Sequence, residues 1–180
     1  MRTEAARVLS PVPSARSRKG ELTMEIDPEQ LAPCGLYCGV CRLLHATQDD
    51  DRTVLTRLAR IYARRSPELA PLTSDDLLCD GCQSGRRSVL CRHCSIRECV
   101  GAKELLGCHQ CPDFPCALVD EFPVPVGKKV ILRAIPYWRE HGTEEWILAE
   151  KKRYKCAACG GRLYRGAQRC PHCKSPVDLD

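Results

Sequence analysis

The chain has 180 residues, a formal net charge of +5 and fifteen cysteines. Hydrophobic residues make up 43%, but that figure counts the cysteines, and there are only two Phe and two Trp. The odd cysteine count, the repeated Cys-x-x-Cys pairs and the lack of an apolar signal segment argue against a secreted disulfide scaffold. No run of eighteen apolar residues is present, which argues against a membrane span and leaves a reducing cytoplasm as the expected location.

A chain with so thin a core needs another source of stability, and metal supplies it. A structural zinc site is worth roughly 10–16 kcal/mol apparent in small peptides, against a whole-domain stability of about 5–15 kcal/mol. Charge is uneven: residues 1–23 carry +3, residues 24–125 carry −4 and residues 126–180 carry +6. Thiolates binding zinc make the middle segment more acidic still. Only the C-terminal third is a candidate for phosphate contact.

Residues 1–23 are rich in Arg, Ser and Pro without periodicity and read as a disordered tail, with Met24 a second candidate start. Cys34-Gly-Leu-Tyr-Cys38-Gly-Val-Cys41 follows, three thiols in eight residues with glycines for tight turns. Its Cys-x-x-x-Cys-x-x-Cys spacing resembles that of radical S-adenosylmethionine enzymes, whose three cysteines hold a four-iron cluster. Val40 stands where those enzymes usually carry an aromatic residue, and the chain has no room for their partial barrel.

Asp49, Asp50 and Asp51 open a helix in which Val54, Leu58, Ile61 and Tyr62 form one apolar stripe, ending near Ser66 before Pro67. Its arginines read as a solvated face. Ser74-Asp75-Asp76 caps a short turn. Cys79-Asp-Gly-Cys82 and Cys91-Arg-His-Cys94 form a four-thiolate pattern suited to one tetrahedral ion, with His93 a spacer. A helix is expected from Ile96 through Cys99 to about Leu106, stopped by Gly107. Cys108-His-Gln-Cys111 comes next, and Pro115 suits a first helical position, which puts Cys116 on the first turn of a helix ending near Phe122.

Taken together, Cys34 to Cys41, Cys79-Asp-Gly-Cys82, Cys94-Ser-Ile-Arg-Glu-Cys99 and Cys108-His-Gln-Cys111-Pro-Asp-Phe-Pro-Cys116 resemble a family of small cysteine-rich bacterial and archaeal proteins of unknown function. The resemblance covers about residues 30–122. It implies a compact, mostly helical, metal-binding module and carries no established reaction.

Residues 124–153 read as helical. Val130, Ile131, Ala134 and Tyr137 or Trp138 form a stripe, with a kink or split expected at Pro136. His141-Gly142 ends this helix and Thr143 caps another that runs to Lys151-Lys152-Arg153. The tail, Cys156-Ala-Ala-Cys159 and Cys170-Pro-His-Cys173 ten residues apart, resembles a zinc ribbon, with a positive φ expected at Gly160 and His172 outside the ligand set. Rubredoxin iron sites use similar knuckles at a longer separation.

If the tail takes four thiols and Cys79, Cys82, Cys91 and Cys94 take one ion, seven thiols remain: Cys34, Cys38, Cys41, Cys99, Cys108, Cys111 and Cys116. With His45 or His109 they fill two more tetrahedra, although ligands can interleave between sites. The expected architecture is an α-rich, metal-organised domain over residues 24–123, a helical linker over 124–153 and a β zinc ribbon over 154–180. All fifteen cysteines are candidate ligands, for zinc in the tail and for zinc or an iron–sulfur cluster in the N-terminal sites.

No phosphate loop, nucleophile elbow or His-Glu-x-x-His is present. The expected function is a non-catalytic zinc module contacting a protein or nucleic acid. The alternatives are an iron–sulfur protein with a redox or radical role and a thiol-based redox or metal-handling protein. Lys151, Lys152, Arg153, Lys155, Arg162, Arg165 and Arg169, with Tyr154 and Tyr164, form the strip that would meet nucleic acid, and a plain solvated face is its other reading.

Overall fold

In the computed structural model, residues 25–180 are described. The expectations of a disordered tail over residues 1–23 and of a start at Met24 lie outside them. Six α-helices follow in order: α1 Arg42–Gln48, α2 Arg52–Arg65, α3 Val89–Arg92, α4 Ser95–Ala102, α5 Ala117–Asp120 and α6 Pro125–Arg153. Short 3-10 turns join them, including Cys38–Val40, Asp75–Leu77 and Cys108–Gln110.

Local chemistry explains the helix ends. The Asp51 carboxylate accepts from the Val54 amide and caps α2, and Arg64 and Arg65 fill its last turn. Helix α4 stops at Ala102, earlier than the expected Leu106, because Glu104 adopts φ 53 and turns the chain. Cys116 caps α5 rather than lying inside it.

Helix α6 is two helices. Gly142 has φ 80 and ψ 174, a conformation open to glycine, and the chain reverses there. Arg133 and Glu150 would stand about 25 Å apart in a straight helix; their ion pair is 2.5 Å. Trp138 and Trp146 stack across the hairpin with ring centroids 4.0 Å apart, and the Trp138 indole N–H donates to Thr143 Oγ1 at 3.0 Å. Within α6 the backbone leaves helical geometry at Gly142 and not at Pro136, so the reversal belongs to the glycine.

One core contains Leu31 and Val40, Ile96 and Val100 of α4, Val119 of α5, Val130, Ile131, Trp138 and Trp146 of α6, and Tyr154 and Leu163 of the tail. A smaller core packs Leu43 and Ala46 of α1 against Leu55 and Leu58 of α2, with Leu77 and Cys79.

The helix-rich part of the expected fold is present. The β ribbon is not: among the described residues there is no β-strand, and the tail makes only the isolated bridges Lys155↔Arg162 and Arg169↔Pro176. The residues between the knuckles keep only short pairings, such as the Leu163 amide on the Tyr154 carbonyl at 2.8 Å, and also face the helical domain. Leu163 and Ala167 are buried, and Arg165 donates to the Tyr37 carbonyl at 2.8 Å.

Candidate metal centres

The tail brings four thiols together. Cys156 and Cys173 sulfurs lie 3.7 Å apart, as do those of Cys159 and Cys170, and all four are within 4.8 Å of one another. Metal–sulfur bonds of about 2.3 Å in a tetrahedron give sulfur separations of about 3.8 Å, so the set fits one zinc-sized ion. Each knuckle is closed by an amide reaching back to its first cysteine: Gly160 to the Cys156 carbonyl at 2.8 Å and Lys174 to the Cys170 carbonyl at 3.0 Å. Gly160 has the expected positive φ of 71, and Lys174 repeats it at 64 without a glycine. Cys156 and Cys170 are buried, Cys159 and Cys173 exposed. His172 is not in the set.

The Ser175 hydroxyl and amide hold the Cys173 thiol down to about 6. The Gly161 amide works to lower Cys159, but its thiol neighbours, Cys173 first, outweigh it and push Cys159 up to about 11. One ligand is therefore poised as thiolate at neutral pH, and another must lose its proton to the incoming metal.

The other eleven cysteines divide between two cavities. One, of about 390 Å³, is bordered by seven thiols: Cys34, Cys38 and Cys41 from the first loop, and Cys79, Cys82, Cys91 and Cys94 from the second. The pattern read as one site for Cys79, Cys82, Cys91 and Cys94 thus joins the first loop. Burial pushes Cys91 up to about 12 and raises Cys34, Cys38 and Cys82 as well. Thiols this deep keep their protons unless a cation offsets the lost hydration. Arg165 lines the same cavity and favours the thiolate forms of Cys34 and Cys38. Arg97 donates to the Cys91 carbonyl at 2.8 Å and reaches within 3.9 Å of Cys82 Sγ.

The second cavity, of about 220 Å³, is bordered by Cys99, Cys108, Cys111 and Cys116. Cys99 lies within α4, Cys108 begins the Cys108–Gln110 turn, Cys111 follows that turn and Cys116 caps α5. Neither histidine weighed as an eighth ligand borders either cavity. His45 Nε2 is 2.8 Å from the Gly39 carbonyl, and His109 stacks on Trp138 at 3.8 Å. His93 borders the seven-thiol cavity.

Several cations of the basic strip have partners within the molecule, although all of its cations except Arg165 are exposed. Arg165 points to Tyr37, Arg162 pairs with Asp49 at 2.5 Å, and Arg153 donates to the Leu179 carbonyl at 3.2 Å. Tyr154 is buried with its hydroxyl on the Asp180 carboxylate, and Tyr164 lies beneath Arg42 at 4.2 Å. Arg97, Arg165 and Lys103, cations beside the thiols, carry no local sequence signal for that role. Cysteine count and spacing were the only markers available.

Fold and sites together define a helical, cysteine-rich protein able to hold metal. The chain belongs to the family described as a protein of unknown function (DUF3795), whose model matches residues 30–121, just over half of the sequence. The match includes all eleven cysteines of the two cavities and ends before α6 and the tail cluster. No curated protein matches the chain, and no solved structure matches it.

Proposed function

We propose that this protein is a non-catalytic, zinc-binding interaction module with a protein partner. The carrying observation is the tail cluster, four sulfurs within 4.8 Å of one another, at the spacing of a single ion. Zinc suits an all-thiolate tetrahedral set and needs no redox chemistry. Bound there, it fixes the two knuckles and, through the segment between them, seats Leu163 in the core and Arg165 beside the first cysteine loop. Its role is to build a surface, which requires no acid, base or nucleophile.

A protein partner is favoured over nucleic acid because the tail's tyrosines are engaged internally. Single-strand binding relies on aromatic faces that bases can stack on, and Tyr154 is buried while one face of Tyr164 is covered by Arg42.

The test is metal analysis of the full chain with X-ray absorption at the zinc edge. One zinc with four sulfur ligands, lost in Cys170→Ser/Cys173→Ser, is expected; a chain whose tail variant keeps all its zinc would sink the reading. In parallel, a labelled single-stranded oligonucleotide should show no anisotropy change at low salt, where charge-driven binding is strongest. Tight binding that weakens steeply with salt would replace the protein partner with nucleic acid.

A further inference from the structure

Cys99, Cys108, Cys111 and Cys116 border one cavity, but their spacing differs from that of the tail. Sulfurs on one ion with bonds of about 2.3 Å cannot be more than about 4.6 Å apart. Among the described residues, the tail is the one set in which three or more ligating atoms all fall within 4.8 Å of one another. No three of the cavity sulfurs fall within that distance of one another, yet the four thiols border one space of about 220 Å³.

We propose that this cavity is a site for a four-iron iron–sulfur cluster, each thiolate binding its own iron. A cluster inserts metal and sulfide between its ligands, so it calls for wider sulfur spacing than zinc and for a volume to fill. The cavity supplies the volume, and its sulfurs lack the close grouping of the tail. Four thiols also complete the coordination of four irons, which leaves no open iron for substrate and suits an electron carrier.

The surroundings agree with that chemistry. Ile96, Val100, Leu105, Phe114 and Val119 make the rest of the wall largely apolar. Lys103 Nζ lies 3.5 Å from Cys111 Sγ and is anchored by Asp113 at 2.8 Å, which sets a cation against a ligand sulfur. Charge and hydrogen bonds at the sulfurs are among the factors that set a cluster's potential. Ile96 and Leu118 border this cavity and the seven-thiol cavity alike, so the site is one side-chain layer from a second group of thiols.

The experiment uses the full chain reconstituted without oxygen with ferrous iron and sulfide. Iron, acid-labile sulfide and zinc are measured per chain, and the dithionite-reduced protein is examined by electron paramagnetic resonance. Relative to the parent, Cys108→Ser/Cys111→Ser should lose about four irons and about four sulfides while keeping the tail zinc. Unchanged iron in that variant, or zinc without sulfide at these four cysteines, overturns the proposal.

Lys103→Met provides a test that leaves every thiol in place. It should keep the iron and lower the reduction potential, because the lost cation favoured the more negative reduced cluster; an unshifted potential puts the cluster elsewhere and overturns the assignment. Cys170→Ser/Cys173→Ser should lose zinc and retain the cavity iron. The tail reading and the cluster proposal therefore fail separately.

Discussion

Glu150 keeps only 1% of its side chain exposed, and Arg133 is the residue that makes this tolerable. Its two guanidinium nitrogens reach the two carboxylate oxygens at 2.5 and 3.3 Å. Removing one partner of a buried pair strands the other charge, at a cost of about 3–5 kcal/mol. Arg133 is a third exposed, so Arg133→Met should cost about 3 kcal/mol in urea unfolding, the lower end of that range. Arg133→Met/Glu150→Leu should recover most of it, because no unpaired charge remains; a double variant no more stable than the single one would contradict this account.

A second residue-scale prediction concerns protons. Cys173 is held at about 6 and Cys159 at about 11, so the apo tail at pH 7 carries the first largely as thiolate and the second as thiol. Zinc binding should release fewer than four protons at pH 7 and more at pH 5, read as the buffer dependence of the calorimetric heat. Release that does not change between these pH values would contradict the poised Cys173.

His45 adds a pH term to folding. Burial lowers it below the ordinary 6.5, and the hydrogen bond to the Gly39 carbonyl offsets that only in part. A depressed folded value means that the unfolded chain takes up the proton first. This contribution is present above pH 6.5 and is lost as pH falls through 6.5 towards the folded value. His45→Gln should flatten the fall in stability across that range; an identical pH profile would show that His45 contributes nothing.

Among the elements, the α6 hairpin carries the most consequence. Its reversal rests on one residue, since Gly142 at φ 80 and ψ 174 occupies a region that other residues enter at a cost of about 1–3 kcal/mol. A methyl group there would meet no neighbour within 4 Å, so the cost of Gly142→Ala is backbone strain and not a clash. The variant should lose about 1–3 kcal/mol in thermal or urea unfolding. Stability equal to the parent would mean that the hairpin tolerates a different turn.

At the scale of the whole molecule, the tail is part of the main core and not an appendage. Tyr154, Cys156, Leu163 and Cys170 belong to the cluster that contains Trp138 and Trp146. Arg162 reaches Asp49 at the end of α1, and Arg165 reaches Tyr37 before it. Stripping the tail ion with a chelator, or replacing Cys170 and Cys173 by Ser, should therefore lower the melting temperature of the whole protein in one transition and change tryptophan emission. Two separate transitions, with the larger one unmoved, would show that the helical domain does not depend on the tail.

Much of this was legible in the sequence. The acidic start of α2, the turn after Ser74, the break at Gly142 and the positive φ at Gly160 are local consequences of residue type. The tail quartet was legible too, because a two-residue spacer by itself brings both sulfurs of a knuckle to one ion. The absence of strands was not. The Leu163 amide still pairs with the Tyr154 carbonyl, but the Leu163 side chain enters a core that the local sequence does not contain, and the pairing stays at isolated bridges. The division of eleven thiols into seven and four was equally out of reach. It depends on α4 and its flanking turns placing Cys94 at one cavity and Cys99 at the other, five residues apart. The sequence by itself determined that cysteine chemistry organises this protein and where its helices begin and turn. Tertiary structure alone decided which thiols share a space, because burial and charge act through distances that chain order does not encode.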